Sequence, residues 1–216
     1  MKWFEENPNK SEDIIDGLNT KYGNFDFKKS SRALYKKEFR DALHKLMTFS
    51  GKRIAIVGGN DGHETQYLKG KLKEVYVIDL AKDALRKVKR GIPIFASAEK
   101  LPFIDEFLDY YLAFRTLYSQ HVDLDACLAE AKRILKKGGT LIISIPNGYL
   151  VDGKIQRGIF HYSSNSINQK IPYALLKKSI ATLKSLGFNK IQFIDLPGEI
   201  IISANKLKKI SPKKRK

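Results

Sequence analysis

Short apolar runs and longer amphipathic stretches alternate along this chain. The runs are rich in β-branched and aromatic residues and predict strands at 54–57, 75–78, 92–96, 107–114 and 140–145. Apolar positions three or four residues apart predict helices between them, at 81–90, 124–135 and 173–186. A final alternating pair, 190–195 and 199–205, predicts a β-hairpin. The alternation indicates an α/β fold, with a mostly parallel sheet, helices on both faces and a ligand at the carboxyl ends of the strands.

The remaining segments are predicted from their breaks in pattern. Pro93 predicts that the third strand lies at a sheet edge, and a turn is expected at 136–139. Residues 1–50 are expected to form a helical flank or lid, with a short helix near 12–18 and a longer one from Ser30 or Ser31 to about Phe49. The stretch 147–172 is predicted to be an irregular loop, where substrate contacts are expected.

The sharpest local signal lies at residues 53–79. The apolar run 54–57 ends in Gly58-Gly59-Asn60-Asp61-Gly62, a helical pattern follows, and the run 75–78 ends in Asp79. A bend rich in glycine permits positive φ and the close approach of a ligand, and Asn60 tolerates the same geometry. An acid at the tip of the next strand can accept both hydroxyls of a ribose. The stretch therefore predicts a strand, turn, helix, strand unit that binds a nucleoside.

Composition and charge narrow the class of protein. The 216 residues have a net charge of +17. Most of the excess lies in residues 151–216, which have 14 basic and 3 acidic side chains. The tail 206–216 has no acid, so we expect it to be mobile and to attract a polyanion such as RNA, or else only to aid solubility. The one cysteine, Cys127, argues against disulfides and a cysteine zinc site. With no apolar membrane span or signal-peptide pattern, a cytoplasmic protein is expected.

Two longer segments carry a resemblance to a known family. The string ASAEKLPFIDEFLDYYLAF, at 96–114, and the string LDACLAEAKRILKKGGTLIISIPN, at 124–147, resemble ordered segments of class I S-adenosylmethionine-dependent methyltransferases of the type 11 branch. Gly187-Phe188 and the hairpin are similar to the ending of that family. The resemblance covers about residues 45–205, so 51–205 is expected to be the methyltransferase domain. It implies a Rossmann-like sheet of seven strands in the order 3-2-1-4-5-7-6, with the last strand antiparallel, and S-adenosylmethionine as the cofactor.

The resemblance also implies which residues hold the cofactor. The bend passes under the methionine and ribose, Asp79 holds the ribose hydroxyls, and the following residues border the adenine or the transferred methyl group. The implied cofactor-binding residues are Gly58, Gly59, Asn60, Gly62, Asp79, Leu80, Ala98, Glu99, Phe114 and Arg115.

Departures from the family pattern leave alternatives open. Ile56 replaces the acid before the glycines, Asn60 replaces the middle glycine, and Ser97 stands where an acid often meets the adenine amino group. One alternative is therefore a non-catalytic, methyltransferase-like binding protein with a basic RNA-binding tail. A nicotinamide dehydrogenase shares the bend and the acid, but Thr65 stands where its pattern requires a third glycine.

Methyl transfer from a sulfonium requires little acid–base catalysis by the protein, because the leaving group needs no proton. A general base is needed only for an acceptor that must lose a proton, and the candidates are His121, Tyr118 and His161, with Tyr162 beside the last. The histidines show no metal-ligand spacing. The segment FRTLY, at 114–118, lacks the motif of exocyclic amino-group methyltransferases. An oxygen or nitrogen acceptor on a small molecule, RNA or protein is therefore expected.

Overall fold

A computed structural model of the protein describes residues 4–5, 11–23, 26, 31–119, 121–151, 154–157 and 167–207. Its α-helices are α1 (Glu12–Tyr22), α2 (Lys36–Leu46), α3 (Lys82–Leu85), α4 (Leu124–Ile134) and α5 (Ile167–Ser185). Its strands are β1 (Phe4–Glu5), β2 (Arg53–Val57), β3 (Glu74–Asp79), β4 (Ile92–Phe95), β5 (Leu108–Phe114), β6 (Leu135–Pro146), β7 (Gly148–Val151), β8 (Lys154–Arg157), β9 (Phe188–Asp195) and β10 (Glu199–Lys206). Short 3-10 helices cover Ser31–Tyr35 and His63–Tyr67. No helix within the described ranges is long and apolar enough to span a membrane.

The central sheet has the strand order β1-β4-β3-β2-β5-β6-β10-β9. Strand β10 runs antiparallel to both of its neighbours, and the other pairs are parallel. Apart from β1, this sheet has seven strands. When these seven are numbered along the chain, their order is 3-2-1-4-5-7-6, which confirms the predicted fold and topology. Because β2 and β3 are parallel neighbours with Val57 paired to Ile78, the bend after β2 and the residue that ends β3 lie at the same edge.

Both faces of the sheet are covered. Successive strand residues point to opposite faces, so Ala55 packs in one core with Leu128 of α4 and Leu183 of α5. Its neighbour Ile54 packs on the other face with Phe39 of α2. All of these side chains are fully buried, and each contributes on the order of 1.5–3 kcal/mol through burial, Ala55 less.

Helix α4 forms where the sequence predicted it. Its apolar positions Cys127, Leu128, Ala131 and Ile134 are buried in the core. The carboxylate of Asp123 accepts hydrogen bonds from the backbone N–H groups of residues 125 and 126, which caps the first turn.

Several predicted elements are shorter than their sequence patterns. The helix predicted after Gly62 is only the 3-10 helix His63–Tyr67, and the helix predicted at 81–90 is reduced to α3. The backbone N–H groups of Lys87 and Val88 bond three residues back, so this segment continues as tight turns.

Three other predictions were wrong. Strand β4 is not at an edge, because β1 pairs with it at Ile94 and Phe95, beyond the proline. The turn predicted at 136–139 lies inside β6, whose register with β5 shifts there. The stretch 147–172 is not wholly irregular, since β7 and β8 form an antiparallel hairpin and α5 begins at Ile167. Such short strands depend on their pairing partners and leave little periodicity in the sequence.

Candidate active site

The bend after β2 is folded onto the end of β3. The backbone N–H groups of Gly58 and Gly59 donate to the carbonyl of Ile78 at 2.8 and 3.1 Å. The backbone N–H of Asn60 donates to Oδ2 of Asp79 at 2.8 Å, and that of Ala81 donates to Oδ1 at 2.9 Å. Burial raises the pKa of the Asp79 carboxyl, although these amide hydrogen bonds oppose the shift. The carboxylate is therefore held in one position beside the bend, as the sequence predicted.

The predicted positive φ angles are present in the bend, at 66° for Gly58, 50° for Asn60 and 76° for Gly62. At Gly58 the missing side chain serves packing as well. A Cβ there would lie 2.1 Å from Oγ1 of Thr116, whose hydroxyl donates to the carbonyl of Val57. This glycine therefore makes room for the residue after β5, in addition to the turn that it forms.

A cavity of about 300 Å³ opens beside the bend. The predicted residues that line it are Gly58, Asn60, Asp79, Leu80, Ala98, Phe114, Arg115 and His121. Four other predicted residues do not line it: Gly59, Gly62, Glu99 and Tyr118. The remaining candidates, His161 and Tyr162, lie outside the described residues. The cavity thus brings together most of the predicted cofactor residues and one of the three predicted catalytic candidates, His121.

Three of the predicted residues that do not line the cavity have structural contacts elsewhere. Gly59 packs closely against Val77. A Cβ built at position 59 would lie 2.9 Å from Cγ1 of Val77. The carboxylate of Glu99 accepts from the backbone N–H of Asp123 at 2.7 Å, which ties the segment after β4 to the start of α4. The hydroxyl of Tyr118 lies 2.6 Å from Oγ of Ser179, and burial raises its pKa to about 12. That position does not favour Tyr118 as a base for a ligand in the cavity.

Helix α1 closes part of the cavity mouth. Leu18 and Tyr22 line the cavity, and the side-chain amide of Asn60 donates to the carbonyl of Tyr22 at 3.3 Å. Ile15 and Leu18 pack against a small core that includes Leu80. Part of the N-terminal segment therefore lines the cavity.

A buried polar network reaches the cavity through Arg32 and Arg115, and the sequence did not predict the residue at its centre, Glu199. The carboxylate of Glu199 is fully buried and accepts from Nε and Nη2 of Arg32 at 2.7 and 3.1 Å. It also accepts from the hydroxyl groups of Tyr35 and Ser144. Burial alone would raise the pKa of Glu199, but the charges of Arg32 and Arg115 lower it below its ordinary value.

Arg32 links this network to the bend. Its Nη1 donates to Oε1 of Glu64 at 2.6 Å, and both residues line the cavity. Burial alone would lower the pKa of Arg32, but Glu199 and Glu64 raise it. Burial raises the pKa of the Glu64 carboxyl more than Arg32 lowers it. Arg32 therefore stays charged, between two carboxylates from distant parts of the chain.

Arg115 joins the same network from the end of β5. Its backbone φ is 58°, and its Nη2 donates to the hydroxyl of Tyr35 at 3.0 Å and to the carbonyl of Gly198. Its Nε lies 3.8 Å from Oε2 of Glu199. The one signal in the sequence that could have found this network is Glu199 itself, an acid that opens the apolar strand β10.

A cavity beside a glycine-rich bend, at the carboxyl ends of a sheet in this strand order, is typical of the class I methyltransferase architecture. Residues 56–143 match the sequence model of the family described as methyltransferase domain. The chain is also 34% identical over 122 residues to the uncharacterized protein MJ1123 of Methanocaldococcus jannaschii. That match covers 53% of this chain and 56% of the relative, so the chain spans about half the length of the curated relative that it matches.

Solved structures share the fold. The YcgJ protein of Bacillus subtilis is similar with a TM-score of 0.62 at 12% identity, over 80% of this chain and 99% of that one. A SAM-dependent methyltransferase of Aquifex aeolicus has a TM-score of 0.58 at 14% identity, over 92% and 100% of the two chains. Phosphoethanolamine N-methyltransferase 2 of Haemonchus contortus, in complex with S-adenosyl-L-methionine, has a TM-score of 0.58 at 15% identity, over 79% and 53%. The family match over residues 56–143 and the shared fold confirm the resemblance to class I methyltransferases.

Proposed function

We propose that this protein is an S-adenosylmethionine-dependent methyltransferase that acts on an oxygen or nitrogen acceptor. The observation that carries the proposal is the position of Asp79, whose carboxylate lies 2.8 Å from the backbone nitrogen of Asn60 and lines the same cavity as the bend. A fixed carboxylate beside a bend suits the two hydroxyls of a ribose. The residues that would hold the cofactor are therefore present, despite the departures at Ile56 and Ser97.

The cavity walls match the parts of such a cofactor. Leu80 and Ala98 are nearly buried and offer an apolar surface for an adenine ring. Phe114 and Arg115, at the end of β5, line the region that the family resemblance assigns to the methionine and the methyl group. When bound, the cofactor supplies an electrophilic methyl group on a sulfonium.

The part of the protein in such a transfer is chiefly positional. Residues of the bend, of the end of β5 and of α1 line the cavity, so an acceptor and the methyl group would be held close together there. Among the residues that the structure describes, His121 is the predicted base candidate that lines the cavity. We propose it as the group that takes a proton from acceptors that must lose one.

RNA is the acceptor class that the charge of the chain favours. A net charge of +17, with 14 basic side chains after residue 150, would attract a polyanion and raise its concentration near the cavity. A small-molecule acceptor is the other class within the proposal. The charge supports association with RNA and does not identify a methylated nucleotide.

Titration calorimetry and a transfer assay test the proposal together. We expect S-adenosylmethionine and S-adenosylhomocysteine to bind with dissociation constants in the micromolar range. We also expect radioactive methyl transfer from the cofactor to a fraction of cell RNA or to a small-molecule extract. Absence of binding at millimolar cofactor would contradict the proposal. Binding without transfer to either fraction would instead favour the non-catalytic binding protein.

A further inference from the structure

The guanidinium of Arg32 has hydrogen-bonding capacity that its protein partners do not use. An arginine carries five N–H groups. Within the described part of the chain, three of them are engaged, two by the Glu199 carboxylate and one by Glu64. One N–H on each of the two Nη atoms is left, and Arg32 lines the cavity. Two N–H groups on one guanidinium suit an anion such as a carboxylate.

The surroundings hold this guanidinium in one orientation. Its Cζ lies 4.5 Å from the ring centroid of Phe39 and 5.6 Å from that of Phe114. The bidentate pair with Glu199 fixes the plane of the group, and its side chain is only 8% exposed. An arginine that is stacked and paired in this way loses little further entropy when it binds an anion.

The position of Arg32 indicates which anion it meets. Phe114, which it approaches, and Arg115, which shares Glu199 with it, line the end of the cavity assigned to the methionine portion of the cofactor. Asp79 lies at the ribose end. Because Arg32 is so deeply buried, only a ligand that fills the interior of the cavity reaches it.

We propose that Arg32 binds the α-carboxylate of the amino-acid end of the cofactor and that Glu199 positions it for this contact. The inference rests on the proposed function, because it takes S-adenosylmethionine as the ligand. Glu64 then lies close to the bound carboxylate, because it accepts from the other N–H of Nη1, and its negative charge repels the ligand. Glu64 therefore weakens the hold of Arg32 on the carboxylate.

The experiment compares two ligands that differ in one group. S-adenosylhomocysteine carries the α-carboxylate, and its decarboxylated analogue, an aminopropylthio-adenosine, keeps the amine but lacks that group. We expect loss of the carboxylate to weaken calorimetric binding to the unmodified protein by about twentyfold or more, as for a charged hydrogen-bonded pair. Arg32→Lys keeps a positive charge beside Glu199 but loses the guanidinium with its several N–H groups. In this variant we expect loss of the carboxylate to weaken binding by less than about threefold.

The matched control is Arg53→Lys. Arg53 also pairs with a carboxylate, that of Glu74, and also stacks on a ring, that of Phe107, but it stands at the opposite end of β2 and outside the cavity. We expect this variant to keep the twentyfold preference. The same factor in Arg32→Lys as in Arg53→Lys would overturn the assignment of Arg32.

A second variant covers the case that Arg32→Lys does not fold. Glu64→Gln leaves the Arg32–Glu199 pair intact and removes a negative charge beside the ligand carboxylate, so the preference for that group should rise by about twofold or more. A fall would overturn the proposal. If the unmodified protein binds both ligands equally, the inference fails while the proposed function stands. If it binds neither, the proposed function fails as well.

Discussion

Arg32 and Glu199 lie 167 positions apart in the sequence and form a bidentate ion pair in the protein interior, with N–O distances of 2.7 and 3.1 Å. Arg32 belongs to the N-terminal flank and Glu199 opens the antiparallel strand β10. Their pair holds the flank against the sheet at one end of the cavity. The shape of the candidate site therefore depends on a contact between the two ends of the described chain.

The first prediction concerns the stability that this pair provides. Glu199→Gln removes a fully buried charge and leaves Arg32 with one carboxylate partner, so we expect the free energy of unfolding to fall by about 3 kcal/mol. Urea unfolding measures the change. The control is Glu106→Gln, because Glu106 is exposed and its ion pairs with Lys137 and Lys206 are long. That variant should stay within about 0.5 kcal/mol of the unmodified protein, and equal losses in the two variants would contradict the prediction.

The second prediction follows from the lowered pKa of Glu199. Its ordinary value is 4.5, and the folded value lies below it, so the charged group stabilises the fold above about pH 4.5. That contribution is lost as the pH falls from 4.5 through the folded value, because the unfolded chain then binds the proton first. The difference in unfolding free energy between the unmodified protein and Glu199→Gln should therefore be constant from about pH 7 to about pH 5 and shrink below that. A difference that stays constant down to about pH 3 would show that Glu199 is not the group responsible.

The third prediction concerns the ribose contact of Asp79. Asp79→Asn keeps the size of the side chain but removes its charge and one acceptor, so the dissociation constant of S-adenosylhomocysteine should rise at least tenfold, about 1.4 kcal/mol. The matched control is Asp83→Asn, an exposed residue of α3 that pairs with Arg86. Calorimetry should give unchanged affinity for the control. Unchanged affinity in Asp79→Asn, with the fold intact, would refute a role for Asp79 in binding.

A fourth prediction compares two glycines with nearly the same positive φ, so that backbone strain can be separated from side-chain packing. Gly51 has φ of 68° and no atom within 4 Å of a built Cβ, whereas Gly58 has φ of 66° and meets Thr116. Gly51→Ala should cost about 1 kcal/mol for its backbone alone. Gly58→Ala should cost about 2 kcal/mol more, because Thr116 must move. Urea unfolding compares the two, and an equal cost would show that the bend adjusts freely around Thr116.

The parts of the site that the sequence predicted correctly depend on neighbours in the chain. The bend and Asp79 belong to consecutive parallel strands, so their meeting at one edge follows from the strand pattern alone. Helix α4 has a full amphipathic period and a capping aspartate, and both signals are local. Such features are readable because each residue that forms them is near its partner in the sequence.

The missed features depend on distant partners. Nothing near Arg32 indicates that it faces Glu199, and the two come together only after the whole sheet has formed. Strand β1 has two residues, too few to show a period, and its pairing with β4 depends on where the N-terminal segment lies. The length of the helix after Gly62 was overestimated for a related reason. Its residues Thr65 and Tyr67 are buried by tertiary neighbours, although their spacing also fits a helical period.

The last prediction tests the basic end of the chain, of which residues 208–216 lie outside the described part. Removal of these residues deletes six basic side chains but spares Lys206, whose Nζ donates to the carbonyl of Leu135. If the tail binds RNA, affinity for a single-stranded oligonucleotide should fall, and the slope of log affinity against log salt should become shallower by about 0.7 for each lost phosphate contact. Fluorescence anisotropy over a salt series measures both. The same slope and affinity after truncation would assign the tail to solubility, and unchanged cofactor binding would show that the domain itself is intact.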